Sequence, residues 1–99
     1  MIMIDEKTKN IIKKIIFRFL DSQKNKVFIF GSHALGNAVK FSDIDIGIQS
    51  DKVIDLIELS AIEEVFEESD LPYKVEVVDF STVSEQFKKV ALEKIIPLN

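Results

Sequence analysis

The sequence predicts an α/β (α+β) domain in which helices pack mainly on one face of a small β-sheet. Three observations predict it. Helical and strand periodicities alternate along the chain in the order α, β, short α, β, α, β, α. No internal repeat and no linker interrupts that alternation. The strand-like runs are short and few, so they do not support two complete helical layers, and a sheet of three strands or slightly more is expected. The 99 residues, 1–99, read as one domain.

The first helix spans about Asp5 to Asp21, with Ile11, Ile12, Ile15, Ile16, Phe19 and Leu20 recurring at helical steps. Val27-Phe28-Ile29-Phe30 is wholly apolar, aromatic and β-branched, and reads as a buried strand stopped by Gly31. Ser32 to Ala38 predicts a short helical turn with Ser32 as N-cap, followed by a mixed connection from Asn37 to Ser42. Ile44, Ile46 and Ile48 alternate with Asp43, Asp45 and Gly47, which is strand period. Ser50 or Asp51 can cap a helix from about Lys52 to Ser69, with Ile54, Ile57, Ala61 and Val65 on one face. Pro72 breaks it, and Tyr73 to Phe80 is a further strand. Thr82-Val83-Ser84-Glu85 has the form of a capping box. It would open a last helix with Val83, Phe87, Val90, Ala91 and Lys94 in register, ended by Pro97.

Composition narrows the functional classes. Apolar residues make up 46% and charged residues 30%, an ordinary globular mix. The net charge of −4 weighs against autonomous binding of nucleic acid, which needs a basic face. It suits metal binding or a basic protein partner. The absence of cysteine excludes disulfides, thiolate zinc sites and cysteine nucleophiles. No apolar run approaches the roughly 20 residues that span a bilayer, so no membrane partner is expected. No secretory leader is read, which makes the cytoplasm the expected location. The apolar helix faces leave contact with a second copy or with a partner open.

All three glycines fall between Gly31 and Gly47, so the special backbone requirements of the chain are concentrated there. The stretch runs Gly31-Ser32-His33-Ala34-Leu35-Gly36, a spacer, then Ser42-Asp43-Ile44-Asp45. A glycine turn from strand to helix lets backbone N–H groups approach an anion. A lone Gly-Ser is equally an ordinary tight turn. Asp43 and Asp45 share one strand face, and side-by-side carboxylates repel unless a cation lies between them. Hard oxygen donors suit Mg²⁺. A bare Asp-x-Asp is also what a solvated strand face looks like, although strands disfavour Asp. If Val75 and Val77 face the core, Glu76 joins the aspartates on the outer face; it is otherwise just the exposed half of an alternating strand. Asp79 has the opposite parity, and a structural role is expected for it. His33, the only histidine, reads either as a phosphate contact or as a helix-face residue with no ligand role.

Taken together, Gly-Ser-x-Ala-x-Gly, the spacer, Ser-Asp-x-Asp and a later strand with a third carboxylate resemble the polymerase-β-like nucleotidyltransferase superfamily. The length is similar to that of the minimal nucleotidyltransferases (MNT) of prokaryotes, including the MntA-like antitoxins of HEPN/MNT toxin–antitoxin systems. The resemblance covers nearly the whole chain and implies the nucleotidyltransferase fold with a small mixed sheet. It implies that Gly31, Ser32, His33 and Ser42 bind the nucleotide. It also implies that Asp43, Asp45 and Glu76 are the catalytic residues and ligate two Mg²⁺ ions. The implied reaction is transfer of AMP from ATP to a tyrosine hydroxyl of a cognate HEPN toxin, an RNase. Two departures bear on it. Many relatives carry Arg at the positions of His33 and Leu35, of which His33 keeps a donor and Leu35 does not, and Glu76 stands where many carry Asp. They motivate an alternative, a catalytically weak or inactive module that neutralises its partner by binding alone. A small-molecule nucleotidyltransferase of the aminoglycoside type is a third reading, but 99 residues leave little room for an acceptor domain.

Overall fold

The computed structural model describes residues 4–36 and 42–99. The elements are α1 (Glu6–Phe19), β1 (Asn25–Phe30), α2 (Ser32–Leu35), β2 (Ile44–Ser50), α3 (Leu56–Glu68), β3 (Val75–Asp79), α4 (Glu85–Ala91) and β4 (Ile96–Pro97). The strands form one sheet in the order β3-β2-β1-β4. β1 is antiparallel to β2 and to β4, whereas β2 is parallel to β3, so the sheet is mixed.

The alternation of the strands gives the sheet two chemically different faces. Val27 and Ile29 of β1 and Ile44, Ile46 and Ile48 of β2 point to one side and form the main core. There they meet Ile12, Ile15 and Ile16 of α1 and Ile62 and Phe66 of α3. α1 is started by Asp5, whose carboxylate accepts from Thr8 N. The other side carries Phe28 and Phe30, which pack with Phe80 edge to face. Phe87 of α4 closes on this aromatic cluster. The two long helices thus lie on one face, and the short α4 leans on the other. Gly47 sits beneath the rings of Phe28 and Phe80, and a Cβ there would run into both.

Several boundaries differ from expectation. α3 starts at Leu56, capped by Asp55, not at Lys52 after a Ser50 or Asp51 cap. The reason is long-range: Ile54 N donates to Asp79 Oδ2 at 2.8 Å, which holds residues 52–54 out of the helix. The buried face of α3 is Ile62 and Phe66, and Ile57 is 80% exposed. α4 is capped by Ser84 rather than by Thr82, whose hydroxyl donates to Asp79 O in the turn after β3. The last helix ends at Ala91, before Lys94, and none of its residues is fully buried. Pro97 lies in β4, a strand the sequence did not announce, and proline is tolerated there because β4 is an edge. α2 is capped by Gly31, with Ser32 as its first residue, and stops at Gly36 in the left-handed conformation. Of the expected connection Asn37 to Ser42, and of the expected end of the turn at Ala38, residues 37–41 lie outside the described residues.

Candidate active site

The register of the sheet joins the two halves of the sequence motif. Phe30, the last residue of β1, pairs with Asp45, so Gly31 emerges beside that aspartate. A Cβ on Gly31 would stand 2.5 Å from Asp45 Oδ2. Gly31 also has φ 76° and ψ −151°, a conformation that side chains do not tolerate. Both the turn and the close approach therefore require glycine. Its carbonyl accepts from Ala34 N and Leu35 N, which winds α2 directly out of the strand.

The third carboxylate arrives by the parallel pairing, in which Asp45 is the partner of Glu76. Val75 is in the main core with Val77 packed against it, which leaves Glu76 on the same face as Asp45. Asp43 lies one residue before β2, where Ile44 N bonds Lys74 O at 2.9 Å and ties the starts of β2 and β3. The carboxyl of Asp45 is raised above the ordinary aspartate range, first by burial, then by the charges of Glu76 and Asp43, with His33 acting in the opposite direction. The charges of Glu76 and Asp43 thus both reach Asp45.

Such a set suits a hard divalent cation. Among the described residues, the carboxylates of Asp43 and Asp45 accept no hydrogen bond and pair with no cation. Glu76 is exposed and has Lys74 Nζ 3.7 Å away. No three His, Cys, Asp or Glu side chains among the described residues stand close enough to hold a metal on their own. Mg²⁺ is ordinarily held by one or two carboxylates, with water and substrate phosphate oxygens completing its shell.

His33, which the sequence left open between a phosphate contact and a helix-face residue with no ligand role, is buried. It is 4% exposed, and its Nε2 lies 2.8 Å from the carbonyl oxygen of Ser42. A carbonyl only accepts, so Nε2 donates. The ring meets Tyr73 edge-on at 5.6 Å. Burial turns this side chain inward. Asp79, also buried, accepts from Ser81 N, Ser81 Oγ and Ile54 N, the structural role expected of it. The sequence did not single out the small apolar groove of about 220 Å³ beside Gly31, lined by Leu35, Phe87 and Val90. The stripe 83/87/90/91 was its signal: Phe87, Val90 and Ala91 line the groove, while Val83 and Ala91 pack against the aromatic cluster. A larger, shallow concavity, about 1290 Å³, lies by the opposite ends of β1 and β2 and includes none of the carboxylates.

The chain resembles proteins of known kind. Over 64 residues it is 41% identical to a Haemophilus influenzae protein described as a probable protein adenylyltransferase MntA. The match covers 65% of this chain and 56% of the relative, so the chain spans little more than half of that protein's length. A crystal structure of a toxin–antitoxin with AMP-PNP superposes with a TM-score of 0.77 at 22% identity, covering 92% of this chain and 72% of that one. A structure of a tri-AMPylated Shewanella oneidensis HEPN toxin in complex with MNT antitoxin gives 0.64 at 18% identity, covering 92% and 71%. These likenesses concern the fold. Residues 6–98 match the family described as polymerase beta, nucleotidyltransferase, and that span is nearly the whole chain: it belongs to the polymerase beta nucleotidyltransferase family.

Proposed function

We propose that the chain is an antitoxin that transfers AMP from ATP to a tyrosine hydroxyl of a cognate HEPN-type toxin. The observation that carries this reading is the meeting of Gly31 with Asp45 and of Asp45 with Glu76 through the two sheet registers. The 41% identity to a probable protein adenylyltransferase supports AMP as the transferred group. The likeness to toxin–antitoxin structures supports a toxin as the acceptor. A net charge of −4 suits a partner that handles RNA and is therefore basic.

In this reading Gly31, Ser32 and Ser42 bind the triphosphate, and Asp43, Asp45 and Glu76 hold Mg²⁺. Bound there, two such ions would lower the pKa of the attacking hydroxyl and stabilise the pyrophosphate leaving group. The acceptor oxygen forms its bond to the α-phosphorus as the bond from that phosphorus to the bridging oxygen of pyrophosphate breaks. The hydroxyl proton passes to Glu76, which is exposed and can return it to water. The backbone turn at Gly31 and the carboxylate edge hold the reactants in line, which is where most of the acceleration in such transfers originates. Leu35 offers no charge to phosphate, and is expected to contribute an apolar wall instead.

The test is incubation of the purified chain with its partner, labelled ATP and Mg²⁺. Label on a tyrosine of the partner is expected, and Asp43→Asn with Asp45→Asn should abolish it. A folded pair that takes up no label would overturn the reading. Protection of cells by the doubly substituted chain would favour neutralisation by binding alone.

A further inference from the structure

His33 is buried where the glycine turn meets the starts of β2 and β3. It leaves from α2, directly after the Gly31-Ser32 turn. Its Nε2 donates to Ser42 O at 2.8 Å, immediately before Asp43. Its ring lies edge-on against Tyr73, 5.6 Å between centroids, three residues before Glu76. Its Nδ1 is buried and has no hydrogen-bond partner among the described residues, a cost that a residue serving only as packing would not carry. An apolar ring would fill that space without the cost.

We propose that His33 is a positioning residue: one side chain pins the phosphate-binding turn to the starts of the two carboxylate-bearing strands. The Ser42 bond fixes where the chain enters β2, and with it the distance from Gly31 to Asp43 and Asp45. The Tyr73 contact fixes the entry to β3, already tied to β2 by the bond from Ile44 N to Lys74 O. Sheet pairing alone does not secure Asp43, because that residue precedes β2. The pin supplies the constraint that the ladder lacks. A carboxylate site tolerates displacements of only about 0.5 Å before its ligands lose register, so a loose strand entry would be felt in binding.

This inference rests on the proposed nucleotide site for its consequence but not for its geometry, and the two fail separately. His33→Phe keeps the ring against Tyr73 and removes the hydrogen bond. His33→Gln places an amide donor near the position of Nε2. Two measurements apply, both on the purified chain: amide hydrogen exchange at Ile44 and Asp45 without ligand, and calorimetric binding of AMP-PNP with Mg²⁺. In folded His33→Phe, exchange at these amides should quicken by about fivefold to tenfold, as expected for loss of one hydrogen bond. Nucleotide affinity should fall about tenfold or more, the usual effect of removing a group that orients a metal ligand. His33→Gln should recover most of both. Unchanged exchange in His33→Phe overturns the pin, and so does a His33→Gln no better than the phenylalanine variant. Weakened binding with unchanged exchange would instead make His33 a direct ligand contact, and also overturns it. A parent chain that binds no AMP-PNP defeats the proposed function, while the exchange data still decide the pin.

Discussion

Asp45 shows how sequence parity becomes chemistry. Its place two residues after Asp43, alternating with isoleucines, was legible in the sequence, and so was the outward parity of Glu76. Their electrostatic coupling was not, because it arises from the parallel pairing of strands separated by α3. With no metal bound, burial and two like charges raise the Asp45 carboxyl above the ordinary 3.8. Below 3.8 the carboxyl is protonated whether folded or unfolded and has no effect on stability. As pH rises from there through the raised value, the unfolded chain releases its proton more readily, so stability is lost; above it the loss is complete. Asp45→Asn should therefore melt at or above the parent at neutral pH in EDTA, with the difference vanishing in strong acid. Scanning calorimetry across that range checks it. Under the proposed function, the same substitution should lower AMP transfer by about 100-fold or more, because Asp45 would hold Mg²⁺ at the reacting phosphate. The role of His33 could not be read beforehand, because nothing in one histidine's neighbours announces that it will be buried against a carbonyl nine residues on.

Elements were legible where their own residues decide them. α1, β1 and β2 follow directly from apolar periodicity. α3 and α4 begin where they do because of Asp79, which lies in another element. Its carboxylate takes Ile54 N and the Ser81 hydroxyl and amide, and its carbonyl takes Thr82. One buried residue thus sets the entry to α3 through its side chain and the exit from β3 through its side chain and its carbonyl, and two plausible caps, Asp51 and Thr82, become loop residues. Asp79→Ala would leave the buried Ile54 N without its partner and remove the acceptor of Ser81. It should cost about 1–3 kcal/mol in chemical denaturation. The loss should be accompanied by faster amide exchange at residues 52–54, while α1 is unaffected.

At the scale of the molecule, the sheet is completed from the far end of the chain. Leu98 is buried in the main core, and its N–H donates to Val27 O. Asn99 accepts from Val27 N and donates to the carbonyls of Ser22 and Asn25. The short β4 gave no pattern of its own, since two residues carry no period; only the completed fold shows that β1 needs a neighbour on that side. Leu98→Ala should therefore destabilise the whole domain, by about 2–5 kcal/mol, and not merely loosen the last residues. Equilibrium urea unfolding followed by circular dichroism is the measurement.

The chain has no tryptophan and a single tyrosine, Tyr73. That tyrosine stands against the His33 ring, beside the bond that joins β3 to β2. Its ultraviolet emission therefore comes from one known point, the seam where the Gly31 turn and the carboxylate strands meet. The molecule carries a native optical reporter at its own candidate site. Titration with nucleotide and Mg²⁺ can be followed by light from this one ring, with no label added and no other fluorophore of comparable yield to subtract.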